Sequence, residues 1–338
     1  MSELRQDPVT RDWVIINPER ASRPHDAPGA APAGCPFCPG NESRTPDAVE
    51  TLAGPDGRWL VRAVPNRYPV LRSQPAAAGD GAPAPADPLW RRLAAYGHHE
   101  VIVETPDHGA PLGRMPREQA RRVLEMYVRR ARALAAGDGV LRQIVLFRNH
   151  GARAGTSLVH PHSQIVATPA VAPETRRRVM DEIAFYDETG CCAMCRTVAR
   201  ERAAGTRIVL ETARFATIAP YASRAPYHLQ VVPLRHAPAF PEIEAAELDD
   251  LAGHLTRVLG ALGARLGDPH YNLVVSSPPL DLVHRAASYW FVEILPRLTT
   301  PAGFELGSRI VVNVQPPERA AAELRAALGA AAAPAGGI

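Results

Sequence analysis

Apolar residues recur along this chain at two spacings, and the order in which the spacings follow one another is itself repeated. Residues 99–108 have an apolar centre bounded by Gly97 and Pro106, which predicts a strand. Ala120, Val123, Leu124, Tyr127, Val128, Ala131 and Leu134 then fall at steps of three and four, so one face of a helix is apolar, and Gly137 ends it. A strand over 143–147, a glycine-punctuated loop over 151–155 and a strand entered through residues 160–164 complete the series. The second half offers the same series. It has a strand over 228–236, a helix with Leu248, Leu251, Leu255, Val258, Leu259, Leu262 and Leu266 on one face, and strands over 271–275 and 289–295. A Cys-x-x-Cys pair opens each series, Cys35 and Cys38 in the first, Cys192 and Cys195 in the second. His108 precedes His160 by 52 residues and His236 precedes Tyr289 by 53. The fold class expected is α+β, a duplicated antiparallel unit. Its parts are residues 1–172, residues 173–328 and a flexible tail over 329–338. Mobility is also expected of the proline-rich residues 75–88.

Composition narrows the chemistry. The 338 residues carry 38 basic side chains against 35 acidic ones, and every basic one is Arg. Without Lys there is no Walker-A Lys, no Schiff-base Lys and no pyridoxal-phosphate anchor. A net charge of +3 spread along the chain demands neither nucleic acid nor an anionic membrane, and it leaves room for a small anionic ligand. Nowhere do about 18 apolar residues run together, and the first 13 residues mix both charges, so a cytoplasmic protein without a membrane partner is expected. Five Cys in this spacing suit metal or redox chemistry better than a disulfide framework.

The strongest local signal is His160-Pro161-His162-Ser163-Gln164, because alternation along a strand turns His160, His162 and Gln164 to one face. Three polar side chains there point to a site. The loop before them, residues 149–157, offers small residues, backbone N–H groups and a hydroxyl, the parts that cradle a phosphate. Imidazole attacks phosphorus when one ring nitrogen keeps its proton on a carbonyl and the other is free, and His162 suits that role. Gln164 offers an amide N–H to a non-bridging phosphate oxygen. Metal ligation competes for the same His residues. Cys35 and Cys38 sit in a Pro/Gly knuckle that can present two thiolates to Zn²⁺, with His108 and His160 as the best further ligands; a redox pair or two buried thiols is the alternative.

Three stretches together carry a family resemblance: Cys-Pro-Phe-Cys-Pro-Gly-Asn-Glu over 35–42, Glu-Thr-Pro-Asp-His ending at His108, and Gly-Thr-Ser-Leu-Val-His-Pro-His-Ser-Gln over 155–164. They resemble the galactose-1-phosphate uridylyltransferase and ADP-glucose phosphorylase family of the histidine-triad superfamily, over nearly the whole chain. The resemblance implies two fused histidine-triad-like halves, each an antiparallel sheet with a long helix, zinc, and a homodimer. It also implies ping-pong nucleotidyl transfer between a nucleotide-sugar and a sugar 1-phosphate or phosphate. By motif position it makes His162 the nucleophile, Gln164 the phosphate-stabilising amide, and Cys35, Cys38, His108 and His160 the zinc ligands. Asn149, Gly155 and Ser157 would hold nucleotide phosphates, Asn66 with Arg67 beside it would lie at the nucleoside, and Arg20 and Arg23 would meet the nucleotide-sugar. Glu305 would contact the hexose, with Gln315 standing in for a family Gln whose place is taken by Val311.

The departures bear on substrate and on the second half. Arg67 stands where uridylyltransferases commonly have Asp. Tyr289 takes the place of the fourth metal ligand beside Cys192, Cys195 and His236, so a second zinc there needs a substitute such as His284. Phe291 takes the place of His162. One catalytic site per chain and no iron are expected. The leading expectation is a UDP-glucose:hexose-1-phosphate uridylyltransferase. The alternatives are a nucleotide-sugar phosphorylase, a dinucleoside polyphosphate phosphorylase and, in another class, a non-catalytic zinc-containing nucleotide- or nucleic-acid-binding module.

Overall fold

The structure, a computed structural model, describes residues 3–9, 12–17, 34–73, 87, 89–137 and 139–332. The first series contains strands β1 (Glu3–Gln6), β2 (Trp13–Ile16), β3 (Glu50–Ala53), β4 (Trp59–Pro65), β5 (Arg92–Ala94) and β6 (His98–Val103), helix α1 (Arg117–Ala135), and strands β7 (Gln143–His150) and β8 (His162–Thr168). Helices α2 (Pro173–Thr189) and α3 (Ala193–Ala204) follow. The second series is β9 (Ile208–Glu211), β10 (Phe215–Ile218), β11 (Leu229–Pro233), α4 (Ala245–Leu266), β12 (Tyr271–Ser276) and β13 (Phe291–Pro296), closed by α5 (Gly303–Ser308) and α6 (Pro317–Ala332).

Ten of these strands form one sheet in the order β3-β4-β6-β8-β7-β12-β13-β11-β10-β9, antiparallel throughout. Followed inward from either edge, the two halves have the same strand order, which is the duplication expected from the sequence. They meet where β7 pairs with β12, Asn149 opposite Asn272. Strands β2, β1 and β5 make a separate small sheet.

The helical spacing is borne out by burial. All seven apolar positions of α1 are buried, as are those of α4 except Leu266, which is partly covered at the last turn. Both helices lie on one face of the sheet and pack against each other. Strand alternation splits β6 between two cores: Ile102 joins the helix-side core, while Val101 and Val103 pack with Cys35, Phe37 and Val64 on the opposite face. The second half repeats this, with Val292 on the helix side and Phe291 packed with Cys192, Val198, Ala216, Val232 and Tyr289 opposite. Each cysteine knuckle therefore covers the face that the helices leave open.

Two expectations about the chain's flexible parts need correction or fall outside view. Helix α6 continues to Ala332, four residues into the expected tail, because an Ala-rich segment favours helix when nothing breaks it. Buried Ala320, Ala321 and Leu324 anchor its first turns. Residues 333–338 and, apart from Asp87, residues 75–88 lie outside the described residues. Among the described residues no helix is long and apolar enough to cross a membrane.

Candidate active site and metal centre

Strand β8 begins at His162, two residues later than the sequence pattern suggested, so His160 belongs to the bend before the strand and not to its alternating face. The bend lets one residue serve two groups. The side chain of His160 turns to the cysteine knuckle, while its carbonyl accepts a hydrogen bond from His162 Nδ1 at 2.8 Å. A carbonyl only accepts, so His162 carries its proton on Nδ1 and the lone pair on Nε2. Ser163 faces the helix side, where its hydroxyl meets Tyr127 and Glu104, and His162 and Gln164 face the knuckle side. The Phe37 ring lies 5.4 Å from that of His162 and 6.0 Å from that of His160, tying the knuckle to the strand.

The sulfur and nitrogen donors of Cys35, Cys38, His108 and His160 all lie within 4.8 Å of one another. His108 Nδ1 is 3.3 Å and His160 Nδ1 3.6 Å from Cys38 Sγ. His160 donates Nε2–H to the Thr105 carbonyl at 2.7 Å, which leaves Nδ1 unprotonated toward the sulfurs. Burial holds the His160 pKa down to about 4, and burial with the neighbouring Cys35 pushes the Cys38 thiol up to about 11. Two imidazoles and two crowded thiols in this arrangement fit a tetrahedral S₂N₂ zinc site. Backbone and side chains hold the knuckle: Phe37 N–H reaches Cys35 Sγ at 3.4 Å and the Arg62 guanidinium donates to the Pro36 carbonyl at 3.2 Å.

In the second half Cys192, Cys195 and His236 gather in the same way. His236 Nδ1 lies 3.3 Å from Cys195 Sγ, and its Nε2–H is donated to the Arg285 carbonyl at 2.7 Å. Tyr289 is no fourth ligand, since its hydroxyl is shared between the carbonyls of Pro233 and Arg235. His284 is no substitute either. Its Nδ1 accepts the Ala287 N–H at 3.1 Å and it lies outside the donor group.

The glycine loop departs from expectation in how it would hold a phosphate. The N–H groups of Ala154, Gly155 and Thr156 bond to carbonyls within the loop, and Arg153 N–H donates to His270 Nδ1 at 3.0 Å. A tight 3₁₀ turn closes on itself and spends its own donors. Asn149 and Ser157 flank this turn, with Ser157 buried. Gly151 is required here: its φ is +81°, and a Cβ would stand 2.1 Å from the His270 ring. Asn272, reaching from the second half, donates to Asn149 Oδ1 at 2.8 Å and to the Ala154 carbonyl at 2.9 Å. The first half's loop is therefore shaped by the second.

Of the other expected contacts, Asn66 lies beside His99 and Gln164 at the site, with Arg67 exposed next to it. Glu305 and Gln315 are not brought to His162. Glu305 accepts the Ala302 N–H at 3.1 Å at the start of α5, and Gln315 donates to Glu323 of α6 at 3.3 Å, both on the second half. Arg20 and Arg23 lie outside the described residues.

Three groups escaped the sequence reading. His99 was visible only as part of a strand, although its two-residue step to Val101 places it on the knuckle face. Asn272 had no signal beyond lying in β12. Glu104 and Arg148 form a buried ion pair, Nε to Oε2 at 3.0 Å, with Tyr127 and Tyr271 around it; two charges inside apolar strands were the available clue.

The galactose-1-phosphate uridyl transferase N-terminal domain family matches residues 1–172. The chain is 31% identical over 332 residues to ADP-glucose phosphorylase of Arabidopsis thaliana, covering 96% of this chain and 92% of that protein. It is 30% identical over 334 residues to galactose-1-phosphate uridylyltransferase of Thermotoga maritima, covering 96% and 98%. Among solved structures, Arabidopsis thaliana ADP-glucose phosphorylase with bound ADP-glucose superposes with a TM-score of 0.77 at 30% identity, over 96% of this chain and 99% of that one. A uridylyltransferase structure superposes at 0.79 and 31%, over 98% and 100%.

Proposed function

The chain belongs to the galactose-1-phosphate uridyl transferase family and is a nucleotidyltransferase, and we propose that His162 carries the nucleotidyl group between donor and acceptor. The observation that carries this reading is the hydrogen bond from His162 Nδ1 to the His160 carbonyl, which leaves Nε2 as the nucleophile. The lone pair on Nε2 attacks the α-phosphorus of a nucleotide-sugar, a P–N bond forms, and the bond to the bridging oxygen breaks to release sugar 1-phosphate. The acceptor's phosphate oxygen then attacks the same phosphorus and the P–N bond breaks. The positive charge that His162 gains in between is held by the Nδ1–H bond to the carbonyl, and Gln164 meets the charge growing on the phosphoryl oxygens. Neither step needs a strong general acid, because each leaving group departs without having to gain a proton first.

Zinc on Cys35, Cys38, His108 and His160 would be structural, with all four positions filled by protein. Because His160 also holds His162, the metal would fix the tautomer of the nucleophile. A homodimer belongs to the same reading. Phe304, Leu306, Ile310, Val311, Val312 and Val314 are exposed along the segment that bears Glu305 and Gln315, and a second copy covering them would carry those two polar side chains toward a neighbour's site. A place in the cytoplasm and in galactose metabolism completes the proposal, the latter supported by the galactose 1-phosphate in the names of several relatives.

With a hexose 1-phosphate as acceptor the activity is that of a UDP-glucose:hexose-1-phosphate uridylyltransferase. A nucleotide-sugar phosphorylase, with inorganic phosphate as acceptor, is favoured by one observation: Glu305 and Gln315 do not reach His162 within the chain. Exchange of labelled glucose 1-phosphate into UDP-glucose or ADP-glucose without a second acceptor tests the proposal. Exchange by the wild type and none by His162→Ala supports it, and exchange surviving in a folded His162→Ala contradicts it. Comparing the two acceptors then separates transferase from phosphorylase.

A further inference from the structure

We propose that His99 is a positioning residue that fixes which end of the Gln164 amide faces the transferred phosphate, an inference that rests on the role given to Gln164 above. His99 lies on β6 and is buried, two residues before Val101, which stands opposite Gln164 in the ladder. Its Nδ1 accepts the backbone N–H of Val70 at 3.0 Å. A backbone donor cannot be turned round, so the ring proton sits on Nε2.

Two amides lie against that nitrogen, Gln164 Oε1 at 2.8 Å and Asn66 Nδ2 at 3.0 Å. Asn66 is fixed by a second backbone donor, because Tyr68 N–H reaches its Oδ1 at 2.8 Å. The end of Asn66 that faces the ring is therefore its NH₂, which cannot accept. The acceptor left for His99 Nε2–H is Gln164 Oε1, and the Gln164 NH₂ is turned the other way. Two backbone N–H groups thus set, through His99 and Asn66, the orientation of an amide that could otherwise present either end. The difference matters at a phosphoryl group. An NH₂ stabilises charge developing on a non-bridging oxygen, whereas a carbonyl oxygen in its place repels it.

The second half contains the same device without the amide. His228 Nδ1 accepts the Arg224 N–H at 3.1 Å, and Nε2–H is donated to Glu293 Oε1 at 2.9 Å. A carboxylate has two equivalent ends and nothing to orient. The His and its tautomer belong to the shared scaffold, and orientation has a use only where Gln164 stands beside a nucleophile.

Two substitutions in the full-length, zinc-loaded protein separate this role from a structural one. His99→Leu and His99→Gln both remove the acceptor for Val70, but only Gln can return an N–H to the place of Nε2. His99→Leu is expected to lower kcat for a nucleotide-sugar about 10- to 100-fold with KM changed only a few-fold, and His99→Gln to restore most of the loss. Placed in a Gln164→Ala background, His99→Leu is expected to cost nothing more. Equal losses in the Leu and Gln variants, or losses that multiply with that of Gln164→Ala, would overturn the proposal. Long-range ¹⁵N–¹H NMR of the wild type reads the tautomer directly and needs no variant. A proton on His99 Nε2 is predicted, and one on Nδ1 contradicts the assignment. The cycle stays readable whether or not His162 is the nucleophile: turnover surviving in His162→Ala would remove the covalent mechanism and leave the orientation of Gln164 standing.

Discussion

The two halves of this chain place related residues at related points of one sheet and do different things with them. At the first position of the last strand the first half has His162 and the second has Phe291, which lies 5.6 Å beneath the Arg178 guanidinium. Two residues along, Gln164 is answered by Glu293; two residues before, His160 is answered by Tyr289. Cysteine pairs, His99 and His228, and the knuckle-facing His108 and His236 are present in both halves. What was kept twice is the scaffold of the site. What differs is the set of groups that would fill a fourth metal position and, in the proposed mechanism, attack phosphorus. The second half is nevertheless part of the first half's site, since Asn272 and His270 hold the loop that carries Asn149 and Gly155.

The largest asymmetry should appear in the metal. Cys35→Ser is expected to lose zinc and to lower the unfolding free energy by several kcal/mol, abolishing transfer with it, while Cys195→Ser should cost about 1–2 kcal/mol. Zinc content and thermal melts of the two variants check this, and equal effects would erase the distinction drawn between a four-donor and a three-donor cluster. Next in size is the ion pair beneath β8. Glu104→Gln leaves Arg148 charged and buried, so a loss of about 3–5 kcal/mol is expected in denaturant titrations.

Acid should act through the second half as well. His254 is enclosed between the hydroxyls of Thr212 and Thr217 at 2.9 and 2.6 Å, and burial lowers its pKa to about 4. As pH falls below the ordinary His value of 6.5, the unfolded chain takes up a proton there and the folded chain does not. Stability should therefore drop between pH 6.5 and about 4, with a slope of up to about 1.4 kcal/mol per pH unit from this group. Titrations across that window should show a shallower decline in His254→Gln; an identical slope would exclude His254 as a source. The smallest effect is expected from Phe291→His. It restores an imidazole, yet it is flanked by Glu293 and lacks an oriented amide, so no second nucleotidylated position should form.

Much of this was legible in the sequence because periodicity and spacing act locally. The seven apolar positions of α1 all proved buried, and Cys35, Cys38, His108 and His160 converge although 125 positions separate the first from the last. The rest depended on geometry that spacing does not encode. His160 was read as one of three residues on a strand face, but a bend before the strand gives its side chain and its carbonyl separate tasks. The loop over 149–157 looked ready to offer its N–H groups to a phosphate, and a closed turn uses those of Ala154, Gly155 and Thr156. Asn272 joins the site only because β12 pairs with β7, a contact between halves that neither half announces.

The central claim is that one half of the chain performs the chemistry and the other supports it. Incubation with UDP-glucose or ADP-glucose without acceptor, an alkaline quench, and peptide-resolved mass analysis test it most directly. The account predicts one nucleotidyl group per chain, on the peptide that contains His162, and none on the peptides that contain His228 or residues 289–293. No adduct with either donor, or an adduct on the second half, would contradict it.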